Sequence, residues 1–159
     1  MLCEKVLGKI GELDLSGKKI EYVEIEWHEA FKRIHRKVTD QGTDVGIRMD
    51  DGILSRGLFQ GDVIYMDDET AVVVSTPPCE VIEISTAEGH EMMAVKACYE
   101  IGNRHAPLFW GESYDTYITI YDEPMMAMLS KIHGIIAEKK TAKLDFDRRI
   151  SAAIHNHHH

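Results

Sequence analysis

Ser75-Thr76-Pro77-Pro78 divides this sequence into two halves with different periodicity. Two consecutive prolines remove backbone donors and hold the chain extended, so the pattern on either side is interrupted here. A domain boundary is expected at this point: a first domain over 1–74, a second over 75–145, and a flexible tail over 146–159.

Upstream, the chain reads as strands joined by tight turns. Val6-Leu7-Gly8-Lys9-Ile10, Lys19-Ile20-Glu21-Tyr22-Val23-Glu24-Ile25 and Asp44-Val45-Gly46-Ile47-Arg48-Met49 are rich in β-branched residues, and the second alternates. Asp50-Asp51-Gly52 and Gly61-Asp62 are turn signals, the latter leading into Val63-Ile64-Tyr65. Met66-Asp67-Asp68-Glu69 separates that strand from Ala71-Val72-Val73-Val74, which completes an all-β domain. The basic cluster Lys32-Arg33-His35-Arg36-Lys37 stands out in an acidic chain and reads as a solvated surface stretch, with partner docking as the alternative.

Downstream the period changes. Val81-Ile82-Glu83-Ile84 reads as a strand, and Ser85 with Glu88 three residues later resembles a capping box that opens a helix. That helix is expected to bury Met92, Val95 and Tyr99, with Ala94, Cys98 and Ile101 alongside, and to end at Gly102-Asn103 in the left-handed conformation. Pro107-Leu108-Phe109-Trp110 and Tyr117-Ile118-Thr119-Ile120-Tyr121 form a hairpin through Gly111-Glu112-Ser113. Asp122-Glu123-Pro124 starts a second helix, with Met125, Met128, Leu129 and Ile132 on one face and Gly134 as its stop. Ile135-Ile136-Ala137 opens a last strand. The order β-α-β-β-α-β is that of the ferredoxin-like unit, so the fold class is α+β: an all-β domain, a ferredoxin-like domain and a short disordered His-rich tail.

Composition bounds the function. The chain has 159 residues, 44% hydrophobic and 28% charged, which is ordinary for a globular protein and argues against disorder over most of its length. A formal net charge of −9 disfavours nucleic-acid binding, which depends on clustered Lys and Arg. No run approaches the roughly 18 apolar residues needed to cross a bilayer, and Met1-Leu2-Cys3-Glu4 begins no secretory signal, so no membrane role and a cytoplasmic location are expected. Cys3, Cys79 and Cys98 contain no C-x-x-C pair and read as reduced thiols, not metal ligands. No nucleophile elbow, P-loop, H-E-x-x-H or paired-carboxylate signature is present, so the chain is not expected to be an enzyme.

The histidines suggest metal chemistry instead. Gly102-Asn103-Arg104-His105 fixes one histidine where a helix gives way to a strand, and His155-Asn156-His157-His158-His159 places four more at the end of the chain. A fixed imidazole and several mobile ones suit the uptake and release of a transition metal. By residue type alone His105 reads as structural before it reads as ligating. His28, His35, His90 and His133 have no partner at ligand spacing and read as surface or packing histidines. The tail is interrupted by Asn156 and follows Ile154 without a linker, which favours a native tail over a tag remnant.

At this point the sequence resembles the urease accessory protein family UreE, the nickel metallochaperones of urease maturation. The resembling residues are Glu26-Trp27, Arg33, Arg36, Thr39-Asp40-Gln41-Gly42 and Val45-Gly46-Ile47 in the first domain. Leu58-Phe59-Gln60-Gly61-Asp62-Val63-Ile64, Glu80-Val81-Ile82 and the stretch from Asp122 through Met128-Leu129 continue it. Gly102-Asn103-Arg104-His105 is the most diagnostic. The resemblance implies a head-to-head homodimer in which His105 of both subunits meets at a shared Ni(II) site, delivering nickel for urease active-site assembly through the GTPase UreG. A general Ni/Zn/Cu buffer or storage protein unconnected with urease is the alternative.

His155 and His157, on a short flexible linker near an already bound ion, act at an effective concentration in about the millimolar range, and complete a site begun by the His105 pair. Imidazole suits nickel, zinc and copper alike, so Zn(II) or Cu(II) is possible at the same site. Binding is expected to weaken as pH falls through about 6.5, because only neutral imidazole coordinates.

Overall fold

The run Ala71-Val72-Val73-Val74 is the inside of a fully enclosed strand in the computed structural model, which describes residues 1–150. The chain divides into two compact units, the first Met1–Pro77 and the second from Pro78 onward.

In the first unit the strands are β1 (Leu2–Cys3), β2 (Gly8–Lys9), β3 (Lys19–Glu24), β4 (Ile34–Val38), β5 (Asp44–Arg48), β6 (Asp62–Met66) and β7 (Thr70–Ser75). A single helical turn, α1 (Ile53–Arg56), precedes β6. One sheet has the order β2-β6-β7-β3 and the other β1-β5-β4. β7 lies between β6 and β3, and its unbroken valines are what a strand covered on both faces requires. β3 alternates in burial and pairs parallel to β7, placing Tyr22 opposite Val73.

Beside this core, Asp62 is fully buried and accepts two hydrogen bonds from Arg56, at 2.7 and 2.8 Å, one from the Phe59 amide at 3.0 Å, and an ion pair from Lys9 at 2.9 Å. Burial pushes its carboxyl upward, but Arg56, Lys9 and the Phe59 amide outweigh that and hold it below the usual carboxylate range. The Gly61-Asp62 turn thus fastens two segments through charge-assisted hydrogen bonds.

The basic cluster turns out to hold a strand. β4 is outermost in its sheet, with Ile34, Arg36 and Val38 exposed and His35 buried at 7% exposure. The His35 ring nitrogen Nε2 donates to the Lys32 carbonyl at 2.9 Å, and burial pulls its pKa below the ordinary imidazole value. Arg33 pairs with Asp51 and Lys37 with Glu29, so two of the cluster's charges are satisfied within the unit.

The second unit runs β8 (Cys79–Thr86), α2 (Met93–Asn103), β9 (Leu108–Trp110), β10 (Tyr117–Ile120), α3 (Glu123–Ser130) and β11 (Ile135–Ala142). Its antiparallel sheet has the order β11-β8-β10-β9, so the βαββαβ succession closes as a ferredoxin-like unit. Ile82 and Ile84 from β8 meet Ala97 and Ile101 from α2 and Met125, Leu129 and Ile132 from α3 and its exit. Asp122 caps α3, its carboxylate accepting from the Met125 amide at 2.7 Å.

The tail was expected to begin at 146, but the fold continues past that point. Leu144 and Phe146 are buried, Phe146 stacks on Phe109 with centroids 6.4 Å apart, and Phe146–Arg148 forms a 3-10 turn. The Ile150 amide donates to the Leu108 carbonyl at 2.8 Å, so residues up to 150 run along β9. A second apolar anchor, Phe146, is the physical reason for the extension. His155 and His157 lie outside the described residues. Among the described residues no helix is long and apolar enough to cross a membrane.

Candidate metal centre

α2 begins later than Ser85 and Glu88 imply. β8 runs through Thr86, paired with Ile135 of β11, because the β-branched residues of this strand continue the ladder. Gly89 then turns with φ +81°, and the helix starts at Met93 without a side-chain cap from Ser85. The Glu91 carboxylate, not Ser85, accepts the Gly89 amide at 3.1 Å.

The helix is also rotated relative to the expected face. Ala97 and Ile101 are buried, with Met93 and Cys98 packed against the same core. Met92, Val95 and Tyr99 point outward at 86%, 76% and 69% exposure. Both faces of α2 carry apolar residues at helical spacing, so the sequence pattern alone is ambiguous about which one faces the sheet. Small Ala97 allows close approach to β8, and the larger side chains are left as an apolar stripe on the surface.

His105 occupies the end of this helix in a specific backbone state. The His105 amide donates to the Gly102 carbonyl at 2.9 Å and the Ala106 amide to the Ile101 carbonyl at 3.3 Å. These two bonds define a Schellman motif with His105 as the first residue beyond the helix and Ala106 packed back against the Ile101 core. The position requires a left-handed conformation, and His105 supplies it with φ +58°. The left-handed turn was expected at Gly102-Asn103; those two remain in the helix, and the histidine takes the strained site instead. Non-glycine residues are uncommon in this region, and where they occur in structures they cluster at functional positions.

The geometry places the His105 side chain on the surface, beyond the last turn of the exposed stripe. Arg104 is drawn away from it, binding the Glu100 carboxylate at 3.0 Å and the Glu100 carbonyl at 3.2 Å. Among the described residues no group of three or more His, Cys, Asp or Glu side chains is arranged to hold a metal ion. Among the described residues His105 is therefore not part of a cluster of metal-ligating side chains, and a complete coordination sphere around it would need further donors.

Two of the thiols are poor donors by their own chemistry. Burial raises the Cys3 thiol to about 11 and pushes Cys98 upward as well, keeping both in the protonated form that binds metals poorly.

Two of the histidines that read as surface or packing residues pack on each other. His90, in the turn before α2, and His133, after α3, lie with ring centroids 4.8 Å apart. They are 43 positions apart in sequence, so only the closed sheet reveals the pair. His28 rests edge-on against Trp27 at 5.8 Å.

Comparison with known proteins places both units in one family. The description "UreE urease accessory protein, N-terminal domain" matches residues 3–76. The description "UreE urease accessory protein, C-terminal domain" matches residues 79–159. A urease accessory protein UreE of Acetivibrio thermocellus is 41% identical over 144 residues, covering 91% of this chain and 89% of that protein. Those of Helicobacter acinonychis and Helicobacter pylori strain G27 are 36% and 35% identical, covering 98% and 97% of this chain and 90% and 88% of theirs.

Proposed function

This chain belongs to the UreE family of urease accessory proteins, and from that premise we propose that it carries Ni(II) as cargo and delivers it for assembly of the urease active site. The strongest support is His105: an exposed imidazole locked in a left-handed turn at the end of a helix whose apolar stripe is uncovered.

In this function two copies meet through Met92, Val95 and Tyr99, and their two His105 rings share one ion. Withdrawing each such side chain from water contributes roughly 1.5–3 kcal/mol, which favours association without making it irreversible. A site formed by one rigid imidazole per chain is incomplete, and an incomplete site releases its ion readily. His155 and His157 supply further imidazoles from the C-terminal segment at high effective concentration. The cargo then passes to the GTPase UreG and through it to apo-urease. The protein's own residues bind, position and release; no covalent step is required of them, so the chain is a metallochaperone and not an enzyme. Zn(II) and Cu(II) compete for the same nitrogen donors, and copper outranks nickel in intrinsic affinity.

Nickel titration calorimetry, with light scattering for mass, tests this on the full chain, on His105→Ala, and on a double variant of His155→Ala and His157→Ala. The expected result is one tight nickel per two chains, lost in His105→Ala and weakened about tenfold or more in the double variant. Unchanged tight binding in His105→Ala, with a monomeric full chain, overturns the proposal.

A further inference from the structure

The pair His90 and His133 is held by more than side-chain contact. The β8–β11 ladder ends at Thr86 and Ile135; just beyond it, the Ala87 amide donates to the Gly134 carbonyl at 2.8 Å and the His90 amide to the Ala87 carbonyl at 2.9 Å. Gly134 has φ +83°, and a Cβ there would stand 2.6 Å from the His90 Cβ and 2.7 Å from its Cγ. Only glycine lets the imidazole of His90 lie over this turn, next to that of His133.

The spacing fits a shared ion. A ring nitrogen lies about 1.1 Å from its imidazole centroid and a zinc-like ion about 2.0–2.1 Å beyond it. Two imidazoles on one ion therefore have centroids about 4.5 Å apart in a right-angled arrangement and about 5.2 Å in a tetrahedral one. The observed 4.8 Å falls between them. The rings stand edge-on at 89° to each other, and the broad second torsion of histidine lets each ring turn about its Cβ–Cγ bond with the centroid separation kept.

We propose that His90 and His133 form a second, intrachain site for a divalent transition metal, with two imidazole donors and water in the remaining positions. α2 separates it from His105: its 11 residues span about 16 Å, so the two sites load independently. This second site does not depend on the nickel-delivery function. Two neutral donors and exchangeable water make a weak, fast site, and at nitrogen donors Cu(II) is the most strongly bound probe.

The test uses the full-length chain with His105, His155, His157, His158 and His159 all changed to alanine. Cu(II) titration with electron paramagnetic resonance is expected to show one copper per chain with two nitrogen couplings. His133→Gln and His90→Gln should each weaken binding at least tenfold and leave one coupling. Zn(II) should also slow diethyl pyrocarbonate modification of His90 and His133 in the unsubstituted chain, a readout independent of the variants. Copper binding unchanged in both single variants, or equal modification of both rings with and without Zn(II), overturns the proposal. Loss of tight nickel binding only in His105→Ala leaves this site standing, and its loss only in His90→Gln and His133→Gln would sink the His105 function instead.

Discussion

Replacing His105 by glycine should make the second unit more stable while removing the imidazole proposed to hold the metal. His105 sits at φ +58° in a Schellman position that glycine fills without strain. An L-residue in the left-handed region costs about 1–2 kcal/mol, and glycine's greater freedom in the unfolded chain takes back about 0.4–1 kcal/mol. The net gain is roughly 0.5–1 kcal/mol, or a rise in Tm of roughly 1–4 °C for a chain of this length. His105→Ala removes the same imidazole but keeps the strained backbone, so the difference between the two variants isolates the backbone contribution. Unfolding is followed in a chelator, so that bound metal contributes nothing, by Trp110 fluorescence in a Trp27→Phe background. Trp110 lies on β9 and reports the second unit alone. A His105→Gly protein no more stable than His105→Ala would refute the idea that this turn stores strain.

Asp62→Asn should destabilise the first unit by about 2–3 kcal/mol in urea melts, less than a fully enclosed pair because Arg56 and Lys9 keep access to water. Stability should also fall with acid in two windows. His35 has a depressed pKa, so its contribution is present above the unfolded imidazole value near about 6.5 and is lost as pH falls below it; His35→Leu should flatten that window. Asp62, also depressed, contributes above about pH 4 and is lost as pH falls through its lower folded value, a step missing in Asp62→Asn. Val95→Asp with Tyr99→Asp should raise the dissociation constant of the proposed dimer roughly 100-fold in sedimentation without unfolding the chain; unchanged association would mean the stripe is not the contact. Phe146→Ala should cost about 3–5 kcal/mol, since the ring is buried on Phe109, and a silent substitution would return residue 146 to the tail.

The parts of the fold legible in the sequence were those where burial and periodicity coincide. Val72-Val73-Val74 is a strand enclosed on both faces, and Asp122-Glu123-Pro124 caps a helix just where those residue types predict. β4 was hidden because its inward residue is a histidine among cations, so alternation in burial is not alternation in polarity. The orientation of α2 is ambiguous in the sequence because apolar residues occupy both of its faces, and only the structure shows that the set Met92, Val95 and Tyr99 is the exposed one. Residue preference favours Gly102 and Asn103 for the left-handed turn, while hydrogen-bond register gives it to His105. His105 is singled out in the sequence by its motif. The His90–His133 pair is not, since a contact between residues so distant in the chain exists only once β8 and β11 are paired.

The cations along β4 have a consequence for colloidal behaviour. An outermost strand with Ile34 and Val38 on its open face is a template onto which another extended chain could add and begin a fibril. Arg36 stands between those two side chains, flanked by Lys32, Arg33 and Lys37, and like charges stacked in register repel. With Arg33 and Lys37 paired to Asp51 and Glu29, Arg36 is the charge expected to act as the gatekeeper, so that Arg36→Val would be lost to precipitation before it was lost to unfolding.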